Sequence, residues 1–170
     1  MYRVERQQMK AVVVYESLWG NTAAVARAIA EGLGPDARVL STAEIRPDEA
    51  TDADLIVAGA PVQGFTLPSE RMRAGIRPGG HPAPDLAIPL LRSWLGALPA
   101  GHGRSAAFDT KFRWSPGSAA SVISNHLEMA GFAPTTKPEH FLVTGQTGPL
   151  RNGELERARR WGAELRRSFA

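Results

Sequence analysis

Residues 10–33 constrain the fold more than any other part of the chain. Residues 10–15 read Lys-Ala-Val-Val-Val-Tyr, a β-branched run without polar alternation, which is the pattern of a short strand buried on both faces. After a turn comes Thr-Ala-Ala-Val-Ala-Arg-Ala-Ile-Ala-Glu-Gly-Leu over 22–33, with Val25, Ile29 and Leu33 at helical spacing and Gly34 and Pro35 as a stop. A buried strand that runs through a tight turn into an amphipathic helix is the first half of a parallel crossover, because parallel neighbours need a connection over the face of the sheet. The expected class is therefore α/β.

The remaining elements extend the same alternation. Residues 37–41 and the Leu-Ile-Val-Ala-Gly-Ala run at 55–60 read as the second and third strands, 104–109 as the fourth and 139–144 as the fifth. Helices are expected over 88–95, 118–130 and 154–169, with a less well-marked one between the second and third strands. Residues 61–101 turn rich in Gly and Pro, including Arg-Pro-Gly-Gly-His-Pro-Ala-Pro at 77–84. That composition predicts a loop excursion rather than a domain boundary. The expected architecture is a three-layer sandwich, a five-stranded parallel sheet with helices on both faces. A length of 170 residues fits one such domain over 9–170, with 1–8 as a flexible extension.

Composition removes several kinds of chemistry. The chain contains no cysteine, so thiol nucleophiles, disulfides and thiolate metal sites are excluded, and any redox activity requires a cofactor. The four histidines are scattered without i+3 or i+4 partners, which argues against a metal site. A net charge of +3 spread over many arginines reads as a solvated surface, Arg71, Arg73 and Arg77 included, and no nucleic-acid partner is expected. No run is long and apolar enough for a membrane span, and the polar start lacks the apolar stretch of a signal peptide. A cytoplasmic protein is expected.

In an open parallel sheet, ligands bind beyond the carboxyl ends of the strands, where the winding reverses. Three loops fall there: 16–22, 61–66 and 110–117. The first, Glu-Ser-Leu-Trp-Gly-Asn-Thr, offers hydroxyls from Ser17 and Thr22, the Asn21 amide, a turn at Gly20 and the free N–H groups of a helix start. These are the parts of an anion cradle; an ordinary turn in which Asn21 or Thr22 caps the helix uses the same residues. The loop lacks both the Gly-x-Gly-x-x-Gly of dinucleotide folds and the Gly-Lys-Ser/Thr of triphosphate loops. Asp109 ends a strand as a receiver phosphoacceptor does, without the acidic pair that a receiver needs, and Ser17 lacks the Gly-x-Ser-x-Gly of a hydrolase elbow.

The run Val-Val-Val-Tyr-Glu-Ser-Leu-Trp-Gly-Asn-Thr followed by its alanine-rich helix resembles the opening of the flavodoxin family, whose Ser/Thr-x-x-Gly-Asn-Thr turn wraps the phosphate of FMN. The resemblance implies strand order 2-1-3-4-5 and an FMN site. Ser17, Gly20, Asn21 and Thr22 match its phosphate residues, with backbone amides from Leu18 and Trp19. It places Pro61, Val62, Gln63, Gly64 and Phe65 along one side of the isoalloxazine ring, with Phe65 as the wall, and Asp109, Thr110, Lys111, Phe112 and Trp114 along the other. Trp19 stands where many members carry Thr or Ser, so its indole is expected to cover the ribityl chain. Glu16 must point away from the phosphate. The usual aromatic of the second loop is missing, and Lys111 and Arg113 replace an acidic segment, which implies a milder reductant. The implied function is electron transfer with a redox protein or a small acceptor such as a quinone. An NAD(P)H:quinone or protoporphyrinogen-type oxidoreductase, with the 67–85 loop as a lid, and an interaction module that has lost FMN remain as alternatives.

Overall fold

The structure, a computed structural model, describes residues 8–170; the expectation of a flexible extension at 1–8 therefore lies, except for Gln8, outside the described residues. The strands are β1 (Ala11–Tyr15), β2 (Arg38–Ser41), β3 (Leu55–Pro61), β4 (Arg104–Phe112), β5 (Ala133–Pro134) and β6 (Glu139–Val143). The helices are α1 (Asn21–Leu33), α2 (Glu70–Ala74), α3 (Leu91–Gly96), α4 (Ala120–Met129) and α5 (Glu154–Arg167). All strand pairings are parallel, in the order β2-β1-β3-β4-β5, with β6 also on β4.

The fifth position of the sheet is thus filled by two pieces on the same edge. β5 pairs with Arg104 and Ser105, and β6 pairs with β4 from Phe108 to Phe112. Between β2 and β3 the expected helix is a single 3-10 turn, Pro47–Ala50. Proline at its first position fixes φ for a turn, and the side chains of Asp48 and Glu49 bond to Arg46 at its start rather than extending a helix. The short helix α2 lies in the Gly/Pro-rich excursion, where no periodicity announced it.

Alternation along the central strands feeds two cores. Val13, Leu55, Val57 and Phe108 pack under α1 and α5, whereas Val12, Val14, Ile56 and Ala58 pack under α3 and α4. In the first core Phe108, Phe141 and Trp161 form a triangle of edge-to-face contacts at 6.1–6.4 Å. Glu154, the first residue of α5, is buried. Burial alone would raise its carboxyl, but the Arg157 guanidinium at 2.8 Å and the Leu142 N–H at 2.7 Å outweigh that effect and hold it below the ordinary carboxylate value.

Helices α1 and α5 meet backbone to backbone. A Cβ on Gly162 would stand 2.2 Å from the Ile29 carbonyl oxygen, and one on Gly32 would stand 2.0 Å from that of Arg159. Neither neighbour is a flexible side-chain end, so a methyl group there has to separate the helices. Gly162→Ala is expected to lower stability by about 2 kcal/mol in urea denaturation, against the small gain alanine brings to an exposed helix position. No helix among the described residues is long and apolar enough to cross a membrane.

Candidate functional site

β1, β3 and β4 all end at one edge of the sheet, and the loops leaving them enclose a cleft of about 590 Å³, within the usual range for a site that holds a small organic ligand. Its floor is the turn between β1 and α1. Gly20 occupies the N-cap position with φ of +95° and no side chain caps α1; neither Asn21 nor Thr22 performs that task. The Ser17 hydroxyl instead accepts the Gly20 N–H at 3.1 Å and closes the turn, while Thr22 is hydrogen-bonded to Thr110 across the cleft floor at 2.8 Å. The N–H groups of Leu18, Trp19, Asn21, Thr22 and Ala23 find no acceptor among the described residues. Buried or half-buried peptide donors are nearly always paired, and these converge where a helix dipole favours negative charge.

Electrostatics around the turn agree with an anion. No Asp or Glu lines the cleft, and Lys111 is its one titratable side chain among the described residues. Glu16, the neighbour of Ser17, turns to the opposite side of β1. There it is fully buried, accepts the Leu91 N–H at 2.8 Å and pairs with Arg73 at 2.8 Å. Burial pushes its carboxyl above the ordinary value, opposed by the Leu91 N–H and the Arg73 charge. Arg73 is consequently no surface arginine. Its guanidinium also donates to the Ile88 carbonyl, so it fastens α2 and the start of α3 to the end of β1.

The cleft gathers Ser17, Leu18, Trp19, Asn21 and Thr22 from the first loop, Pro61, Val62, Gln63 and Gly64 from the second, and Thr110, Lys111 and Phe112 from the third. Gln63 holds its Oε1 buried with no partner among the described residues, an acceptor that a ligand N–H would satisfy. Lys111 donates to the Gly117 carbonyl at 2.7 Å, which pins the third loop.

Four of the anticipated residues lie off the cleft lining. Gly20 shapes the turn without facing the cleft. Phe65 neither walls the cleft nor enters the core: its φ of +69° turns the side chain outward, where it is 63% exposed. Trp114 also projects into solvent, beneath the Arg113 guanidinium at 4.9 Å. Asp109 is buried and points to α4. One of its oxygens takes the Ala119 and Ala120 N–H groups at 3.0 and 2.9 Å, and the other meets His140 Nδ1 at 2.7 Å.

Five further residues complete the lining: Met72, Ile76, Ser115, Val143 and Gln146. Met72 and Ile76 come from the 67–85 excursion and supply apolar surface on the side where Phe65 was expected. Met72 rests on Gly64 so closely that a Cβ there would lie 2.9 Å from its methyl. The excursion is anchored a second time, by the Asp85 N–H on the Leu18 carbonyl at 2.8 Å.

No protein-family sequence profile matches the chain, and no curated protein matches it in sequence. Solved structures do. A flavodoxin from the domain Archaea superposes with a TM-score of 0.67 at 24% identity, covering 94% of this chain and 97% of that one. Flavodoxin 1 from Bacillus cereus gives 0.63 at 19% identity over 92% and 96%, and the flavodoxin of Streptococcus pneumoniae TIGR4 gives 0.66 at 14% over 94% and 99%. Coverage is near complete in both directions. With the parallel order β2-β1-β3-β4-β5 and the uncapped turn at its crevice, the chain has the flavodoxin-like fold.

Proposed function

We propose that this protein binds FMN non-covalently in the cleft and works as an electron carrier. The observation that carries the reading is the set of unpartnered N–H groups of Leu18, Trp19, Asn21, Thr22 and Ala23 at the start of α1, with Ser17, Asn21 and Thr22 side chains beside them and no carboxylate in the lining. They fit a phosphomonoester: the donors, the helix dipole and the removal of Glu16 toward Arg73 all favour a compact dianion. The cleft above is apolar along Val62, Met72 and Ile76, with Gln63 Oε1 as an unspent acceptor, as a flat heterocycle with N–H edges requires. That the archaeal and Bacillus neighbours are flavodoxins adds support from analogy.

Bound FMN would supply the one- and two-electron chemistry that a chain without cysteine lacks. Thr110 and Thr22 tie the two sides of the floor together, Gln63 would orient a bound flavin through its unspent acceptor, and Lys111 would set the local charge. Only Lys111 among the lining side chains can exchange a proton, which favours a carrier over an enzyme that works by acid–base catalysis. The carrier would exchange electrons with a redox protein or a small acceptor such as a quinone, and a purified carrier should show no steady-state NADPH oxidation with quinone.

Titration of the purified protein with FMN tests the reading. A perturbed visible spectrum and quenched flavin fluorescence at micromolar FMN are expected, with riboflavin, which has no phosphate, bound at least about 100-fold more weakly. Equal affinity for the two, or none for FMN, refutes it. Lys111, as the one cation of the cleft lining, should also raise the potential of a flavin bound there by tens of millivolts, on the order of 1 kcal/mol for a charge in a partly solvated site. Lys111→Gln is expected to lower the midpoint potential in a dye-equilibration titration; an unchanged value removes Lys111 from that role.

A further inference from the structure

We propose, building on the FMN reading, that the rim of the cleft is a docking surface for a redox protein with an acidic face. Phe65, Phe112 and Trp114 are exposed, at 63%, 41% and 84%, and they lie on loops that touch. The Ser118 N–H donates to the Phe65 carbonyl at 3.1 Å, and Gly117 packs so closely on Phe65 that a Cβ would stand 1.9 Å from that carbonyl oxygen. Phe65 holds a left-handed backbone that residues other than Gly, Asn and Asp seldom adopt, and the outcome of that strain is an aromatic ring in water. Clustered exposed aromatics mark a surface that is covered part of the time.

Charge identifies what covers it. Arg113 lies over the Trp114 ring, and Arg71 and Arg77 are exposed next to the cleft-lining Met72 and Ile76. None of Arg71, Arg77, Lys111 or Arg113 has an ion-pair partner among the described residues. Against these cations stand Glu70 and Asp85, and the latter is occupied in accepting the Ala87 and Ile88 N–H groups. Aromatic and arginine side chains around a cleft, with uncompensated positive charge, are the composition of a protein-binding hot spot that selects a negative partner.

The test maps amide shifts of the 15N-labelled, FMN-supplemented protein on titration with an acidic ferredoxin and, in parallel, with basic cytochrome c. Shifts confined to 64–77 and 110–118 are expected with the ferredoxin alone, the affinity falling about tenfold or more between about 20 and 200 mM salt. The triple variant Arg71→Glu, Arg77→Glu, Arg113→Glu should lose at least about tenfold in ferredoxin affinity and gain affinity for cytochrome c. Shifts elsewhere on the surface, salt-independent binding, a preference for cytochrome c, or equal shifts with single-stranded DNA would each overturn the proposal. The visible spectrum of the same sample, freed of unbound FMN by gel filtration, keeps the two readings apart. A colourless protein that still docks ferredoxin at this rim defeats only the FMN reading, and a yellow one that does not dock defeats only the partner.

Discussion

Arg73→Met is expected to destabilise the protein by about 3–5 kcal/mol near neutral pH, the range for stripping one partner from a buried ion pair. Glu16 is fully buried and Arg73 nearly so, with their charged atoms 2.8 Å apart; without the guanidinium the carboxylate keeps the Leu91 N–H and the weaker influence of the Arg92 charge. The loss depends on pH with a definite sign. The folded Glu16 carboxyl already lies above the ordinary value because of its burial, so the folded state binds this proton more tightly than the unfolded chain does. Stability therefore falls as pH rises from the ordinary carboxylate range to the folded value. Removing Arg73 moves that folded value further up and widens the window. Urea titrations should show a deficit for Arg73→Met that is small in the ordinary carboxylate range and grows as pH rises toward neutrality. The double change Glu16→Met, Arg73→Met should recover most of the loss, since an apolar pair of similar volume has no charge to desolvate. A deficit that is flat across this range would mean that Arg73 acts through packing alone.

Nothing near Glu16 in the sequence points to Arg73, whose guanidinium reaches it from 57 residues on. Residues 10–33 were legible because everything they specify is local: Val12 to Val14 are apolar on both faces, and the turn residues must sit between a strand end and a helix start wherever the rest of the chain goes. Strand pairing follows from the same logic, because successive buried runs joined by helices leave parallel neighbours as the one arrangement that covers both faces. The excursion was less legible. Met72 and Ile76 line the cleft from a segment with no apolar period, and their placement depends on the Arg73 and Asp85 anchors. Phe65 looks like a wall in sequence because aromatic side chains near a ligand loop are ordinarily buried; one positive φ accompanies its outward placement. Asp109 misleads for a different reason. It lies in the buried stretch of β4 beside the crevice, but alternation along the strand sends its side chain to the α4 face, where it accepts the Ala119 and Ala120 N–H groups while the Ser118 hydroxyl accepts that of Ser121. The missing helix before β3 and the divided edge strand have local causes, Pro47 in one case and Pro138 just before β6 in the other.

The phosphate end of the cleft offers a prediction in which two measurements move in opposite directions. Asn21→Asp places a carboxylate on the first residue of α1, among the unpartnered N–H groups of Leu18, Trp19, Asn21, Thr22 and Ala23. In the ligand-free protein that charge lies at the positive end of a helix that has no acidic residue in its first turn, and thermal unfolding should show a gain of about 0.5 kcal/mol. Toward FMN the same charge is repulsive. A phosphate dianion within about 4–5 Å, at the effective dielectric of a half-exposed site, should lose about 2.7 kcal/mol, or about 100-fold in affinity. Raising the salt concentration should restore part of that loss. Riboflavin has nothing at this position to repel, so its affinity should stay the same. Asn21 is half-buried and packs against Gly148, where a Cβ would stand 2.6 Å from its Oδ1; the isosteric change preserves that contact, so a shape change cannot mimic the result. If stability rises and FMN binding is untouched, the helix start is an anion site in principle but not the one that holds the phosphate. If both fall together, Asn21 is a packing residue and the free N–H groups of α1 have another purpose.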